Sequence, residues 1–222
     1  MAADLNNFAD FASQFSKDSR YRTELYKLRR KFMSHADGLI HADLHTSNIM
    51  ASRDKMKVID MEFAFMGPFG YDLGYLVGNL ISQYCAACFK RFPSEQNRKQ
   101  FKAYLLATIQ SLIETYMKTF TLCWERSVKE RYRGQQGLLQ SILQEVMVDM
   151  PGYASMVNWF RSVSEIPYPD FDVIENKDAK RNATVLSLMI DWGIMFGRYK
   201  YQSADDLIET IIGIEEEFRK SL

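Results

Sequence analysis

The 222-residue chain is 47% hydrophobic and 25% charged, the balance of a globular protein long enough to bury a core without disulfide staples. Lysine plus arginine equals aspartate plus glutamate at 28 each, which removes any net-charge argument for a nucleic-acid or anionic-membrane partner. No apolar run approaches bilayer length, and the start Met1-Ala2-Ala3-Asp4 lacks a basic, apolar leader, so a cytoplasmic address is expected.

In chain order, residues 5–34 read as helix, with Leu25, Leu28 and Phe32 at helical spacing among lysines and arginines. Between 38 and 71 the texture changes to short β-like runs: Leu39-Ile40-His41, Asn48-Ile49-Met50-Ala51 and Met56-Lys57-Val58-Ile59. Arg53-Asp54 stands between the last two as a turn and predicts a hairpin. Gly67, Pro68 and Gly70 read as a shaping turn, and Asp72 as the N-cap of the helix that follows. From there the chain is helical to its end. Phe101, Leu105, Ile109, Leu112 and Tyr116 form one apolar face, and Val185, Leu188, Met189 and Trp192 form another.

Breaks are expected at Pro93, at Pro151-Gly152 and at the loop Ile166-Pro167-Tyr168-Pro169. Cys85 and Cys88 lack a second pair, so they read as buried helical thiols rather than a zinc or redox site. Trp124, Trp159 and Trp192 are expected in the core. The division is 1–37 leading helices, 38–71 a catalytic loop with a metal-binding hairpin, and 72–222 a helical subdomain, all in one domain.

The chemistry concentrates in His41-Ala42-Asp43-Leu44-His45-Thr46-Ser47-Asn48 and Val58-Ile59-Asp60-Met61-Glu62. Phosphoryl transfer from ATP to an alcohol needs a carboxylate beside the nucleophilic hydroxyl and oxygen ligands for magnesium. Asp43, Asn48 five residues on, and Asp60 after a hairpin occur in the required order. If the segment is extended, Asp60 and Glu62 point the same way, with Met61 opposite. A rival reading takes His41-x-Asp43-x-His45 as a metallohydrolase triad, for which His35 is the only further histidine.

Residues 39–48 resemble the catalytic loop of the aminoglycoside phosphotransferase and choline kinase superfamily, usually His-Gly-Asp-Leu-His, a small residue, then Asn. The stretches Asp60-Met61-Glu62 and Gly67-Pro68-Phe69-Gly70-Tyr71-Asp72 resemble the methylthioribose kinases within it. That resemblance implies a protein-kinase-like C-terminal lobe, mainly α with a small β-hairpin, its β-rich N-terminal lobe absent. It implies transfer of the ATP γ-phosphoryl group to 5-methylthioribose in methionine salvage, with ATP and Mg²⁺. Asp43 would be the catalytic base; Asp60, Glu62 and Asn48 would bind the metal and nucleotide; His41 and His45 would brace the loop; Arg198 would hold the sugar. Ala42 stands where the superfamily has glycine, and alanine there requires negative φ. Two alternatives stay open: a kinase for another small alcohol (aminoglycoside, choline or homoserine), and a non-catalytic interaction module. A homodimer or a separate N-lobe partner is also expected.

Overall fold

The computed structural model describes residues 17–164 and 168–222. Most of the helix expected over 5–34 before residue 17, and residues 166 and 167 of the expected loop, lie outside these. Helix α1 (Ser19–Ser34) begins where Asp18 accepts the Arg20 amide at 2.8 Å, an N-cap that satisfies a helix-end donor. After it come β1 (Gly38–Ile40), a single 3₁₀ turn (Thr46–Asn48), β2 (Ile49–Ala51), β3 (Met56–Val58) and β4 (Phe65–Gly67). The remainder is helical: α2 (Gly70–Ala87), α3 (Glu95–Ser127), a 3₁₀ turn (Glu130–Tyr132), α4 (Gln136–Val163), α5 (Pro169–Asp172), α6 (Lys177–Gly197) and α7 (Ala204–Ser221). No described helix is long and apolar enough to cross a membrane.

The expected hairpin forms, with β2 antiparallel to β3 and Ile49 opposite Val58. Gly67 belongs to a strand rather than a turn: β4 pairs antiparallel with β1, Gly38 opposite Gly67 and Ile40 opposite Phe65. The β1–β4 pair therefore closes a loop around the hairpin and carries the chain straight into α2.

Helix α2 is the centre of the molecule, with Val77, Ile81, Cys85 and Ala86 fully buried. It lies against α4 through glycines. A Cβ on Gly74 would stand 2.6 Å from the Met150 carbonyl, and one on Gly78 would stand 2.6 Å from that of Ala154. Only glycine permits backbones this close. Cys85 and Cys88 are buried free thiols, and burial pushes Cys88 up to about 12, so neither is poised as a nucleophile. The tryptophans depart from expectation: Trp192 is 37% exposed, and Trp124 and Trp159 are half-buried.

Pro151 does not break its helix but sits inside α4, fully packed. Proline removes one backbone donor and pushes away the carbonyl four residues before it. In the turn just before it, Arg198 Nη1 donates to the Val148 carbonyl at 3.1 Å. Core burial of the two flanking turns, Val146 to Ala154, holds the helix together across the interruption.

A buried polar seam crosses the α2–α4–α6 core. Ser82 Oγ donates to Asn158 Oδ1 at 2.7 Å, and Asn158 Nδ2 donates to Asp191 Oδ1 at 2.7 Å. Asp191 is fully buried and its Oδ2 has no hydrogen-bond partner. Burial raises its carboxyl far above the usual range, and the Asn158 bond only partly opposes this. The native state therefore keeps a proton that the unfolded chain releases above a pH of about 3.9. Stability falls as pH rises from that point toward the folded value, by about 1.4 kcal/mol per pH unit for this one proton. Asp191→Asn has the same shape and no proton to lose. In urea melts from acid to neutral pH, its advantage over wild type should grow with pH; parallel pH profiles would rule out a neutral Asp191.

Candidate active site

The β-layer ends at His41, and from there the loop is held by an acid on α2. The carboxylate of Asp72 accepts the His41 amide at 2.6 Å and the Ala42 amide at 2.9 Å. Asp72 is thus not the N-cap of α2; Phe69 holds that place and Asp72 lies in the first helical turn. Burial pushes its carboxyl up, while the two N–H donors pull it down. Sequence reasoning missed this anchor because an aspartate two residues after Gly70 reads equally well as a cap.

Ala42 has φ +67°, the left-handed region, contrary to the negative φ expected for alanine. The turn comes directly after the two amides that the Asp72 carboxylate holds. A left-handed non-glycine residue costs about 1–2 kcal/mol. Ala42→Gly should therefore raise the urea midpoint at unchanged slope, by about 1 kcal/mol after glycine's greater unfolded-state freedom is subtracted. A lower midpoint would contradict the strain.

His41 is buried and uses both ring nitrogens: Nδ1 accepts the Asp43 amide at 3.3 Å, and Nε2 lies 2.8 Å from the Ile59 carbonyl. These partners require the proton on Nε2. The ring thereby links the loop to the strand end that precedes Asp60. His45 Nε2 stands 3.4 Å from Asp43 Oδ2, and the two side chains are 26% and 27% exposed. The Asp43 carboxylate is thus steadied on one side and open to solvent on the other.

Buried Asn48 donates Nδ2 to the Asp43 carbonyl at 3.1 Å, and its own carbonyl accepts the Ile59 amide at 3.0 Å. This orientation leaves the amide oxygen as the atom it can present to a hard cation. Asp60 follows β3 with φ +66°, and Glu62 lies in a turn closed by the Ala64 amide on the Met61 carbonyl at 3.1 Å. The extended alternation expected for Asp60 and Glu62 is therefore absent. The chain must reverse to bring β4 back onto β1, and aspartate tolerates the left-handed conformation that starts the reversal.

His41 spends both ring nitrogens on the Asp43 amide and the Ile59 carbonyl, which speaks against the His41-x-Asp43-x-His45 metallohydrolase triad. The oxygen set of Asn48, Asp60 and Glu62 does fit magnesium, which takes one or two carboxylates and completes its shell with phosphates and water. Both carboxylate-bearing residues are exposed and can receive such a complex.

Arg198 is not at this site. It is 2% exposed, donates Nη2 to Glu24 Oε2 at 2.8 Å, and has Asp149 at 3.8 Å. Its guanidinium is committed to the α1–α4–α6 junction, so the sugar-holding role is withdrawn. What borders Asp43 is aromatic. Burial and then the charges of Asp72 and Asp43 push the Tyr71 phenol up to about 12, and Tyr75 is raised further by burial and the Asp43 carboxylate. The pair Tyr71/Tyr75 stands one helical turn apart in the sequence, a signal available there but unread.

Comparison with known proteins agrees with this architecture. Residues 4–112 match the family described as "Phosphotransferase enzyme family". The chain is 32% identical over 216 residues to a methylthioribose kinase of Geobacillus thermodenitrificans, covering 96% of this chain and 52% of that protein. It is 30% identical over 209 residues to methylthioribose kinase 2 of Oryza sativa subsp. japonica, covering 89% of this chain and 48% of that one. A methylthioribose kinase of Bacillus cereus is 29% identical over 188 residues, 85% of this chain and 45% of its own length. The chain spans about half the length of the curated relatives it matches. On this fold, that of a kinase-like lobe, the chain is similar to the methylthioribose kinases, and its residues 4–112 match the phosphotransferase enzyme family.

Proposed function

We propose that this lobe carries the acceptor and magnesium sites of an ATP-dependent small-molecule kinase whose acceptor is 5-methylthioribose. The observation that carries the reading is the half-open Asp43 carboxylate beside His45, on a loop pinned by Asp72 and joined through His41 and Asn48 to the segment bearing Asp60. Asp43 orients the acceptor hydroxyl and takes or shares its proton as the hydroxyl attacks. His45 holds that carboxylate in place. Asn48, Asp60 and Glu62 hold magnesium, which when bound neutralises the nucleotide's phosphate charge.

The β segment and its connecting loop carry exposed apolar side chains: Leu39, Met50, Met56, Met61, Phe63 and Met66 are each at least half exposed. We assign them to docking of the nucleotide-clamping lobe that the resemblance implies.

Calorimetry with Mg-ATP tests the metal assignment. Asp60→Ala and Glu62→Ala should each weaken binding about tenfold or more, the loss expected when one of two carboxylate ligands goes. Equal heats for wild type and both variants would rule it out.

A further inference from the structure

A cleft of about 470 Å³ lies between the last turn of α1, the start of α2, the end of α3 with the 3₁₀ turn after it, and the first half of α4. That size lies within the range of small-molecule sites. It is separate from the reacting centre, since none of Asp43, His45, Tyr71 and Tyr75 lines it. We infer that this cleft binds an α-amino acid with a large apolar side chain, a ligand distinct from both the nucleotide and the acceptor.

The interior fits the side chain. Its apolar wall is Phe69, Trp124, Val128, Tyr132, Leu138 and Ile142. The aromatic part is fixed by packing. Phe120 meets the Phe69 ring at 4.9 Å and the Trp124 ring at 6.4 Å by centroid, and Tyr116 donates its hydroxyl to the Phe69 carbonyl at 2.9 Å. Phe69 also abuts β1, where a Cβ on Gly38 would stand 2.5 Å from its ring. An apolar group placed here leaves water for a surface already held in shape, which limits the ordering cost of binding.

Charge decides the class. Five ionic side chains line the cleft, Lys31, Asp37, Lys129, Glu145 and Asp149. Three are committed: Lys31 bridges Glu145 and Asp149, and Arg198 lies 3.8 Å from Asp149. Asp37 and Lys129 are exposed, and neither has an ion-pair partner among the described residues. A cation would meet Lys129 as well as Asp37, and an anion the reverse, so either gains little. A zwitterion pairs its ammonium with Asp37 and its carboxylate with Lys129, whose flexible stem lets the charge follow the ligand. Such rim charges select more than they bind, and the apolar side chain carries the affinity. Both charges beside one apolar arm describe an apolar α-amino acid.

The test is calorimetric titration of the full chain with L-phenylalanine, and with three partial copies of it in separate runs. Phenethylamine lacks the carboxylate, 3-phenylpropionate lacks the ammonium, and glycine lacks the apolar arm. L-Phenylalanine should bind saturably. Phenethylamine and 3-phenylpropionate should bind at least about fivefold more weakly, the upper value of one exposed ion pair, and glycine should give no saturable heat. Trp124→Ala should weaken L-phenylalanine about tenfold, the value of one aromatic contact. Lys129→Glu should weaken it about fivefold or more and strengthen phenethylamine, because an acidic rim beside aromatic rings completes a cationic cage. Circular dichroism confirms that each variant is folded, and the exposed Lys129 variant alone suffices if Trp124→Ala is not. No saturable L-phenylalanine binding, a partial copy that binds as tightly, or unchanged affinity in either folded variant would each overturn the inference.

Discussion

Arg198→Leu should destabilise the protein by about 3 kcal/mol, the lower end of the range for breaking a buried ion pair. Arg198 and Glu24 are 2% and 8% exposed and meet at 2.8 Å. Burial works to raise the Glu24 carboxyl, yet bonds from Lys27, Tyr199 and Arg198 overcome it and hold the group at about 2. Removing Arg198 leaves that carboxylate in the junction of α1 and α6 with Lys27 and Tyr199 as its remaining partners, and takes the extra donor from the Val148 carbonyl. Leucine fills much of the volume, so the loss is electrostatic rather than a cavity. Adding Glu24→Gln should recover part of it, because the two residues act as a unit. Urea denaturation reads both. A loss under about 1 kcal/mol would show that the pair does not hold α1 to the helical core, and would return Arg198 to the pool of ligand-binding candidates.

Asp43→Asn should cut phosphoryl transfer at least about a hundredfold, the typical loss when a general base or positioning carboxylate is removed. Asparagine keeps the shape and the backbone bonds to His45, His41 and Asn48, so the loop should not move. What goes is the negative charge that, on the proposed reading, would orient the acceptor hydroxyl and receive its proton. His45→Ala should cost less, because His45 touches the carboxylate from the side, at 3.4 Å, and the loop has other supports. Fold and stability should stay close to wild type in the Asn variant, which separates a chemical defect from a folding one.

Much of this was legible in the residues because the signals were local. The period of Phe101, Leu105 and Ile109 gave a helical face that is indeed buried at Leu105 and Ile109. The turn at Arg53-Asp54 gave the hairpin, and the order of Asp43, Asn48 and Asp60 gave the reaction class that the relatives' names share. The failures were long-range. β4 exists only because β1 lies 27 residues earlier at Gly38↔Gly67 to Ile40↔Phe65 register, a pairing no local pattern encodes. Asp72 acts on amides about thirty residues before it, as the 2.6 Å bond to His41 shows, so its own helix could not reveal the role. Pro151 obeyed the packing around it rather than its propensity, and Arg198 was drawn inward by Glu24 from a helix 174 residues away. Asp60 and Glu62 were expected on one extended segment, but the return to β4 bends the chain there.

The most direct measurement is ³¹P NMR of a mixture of this chain, the complementary half of a methylthioribose kinase, Mg-ATP and 5-methylthioribose. The reading predicts a sugar-phosphate resonance that grows in step with ADP, requires the acceptor, and is slowed at least about a hundredfold by Asp43→Asn. ADP and inorganic phosphate without a sugar phosphate, or equal rates for wild type and Asp43→Asn, would contradict it.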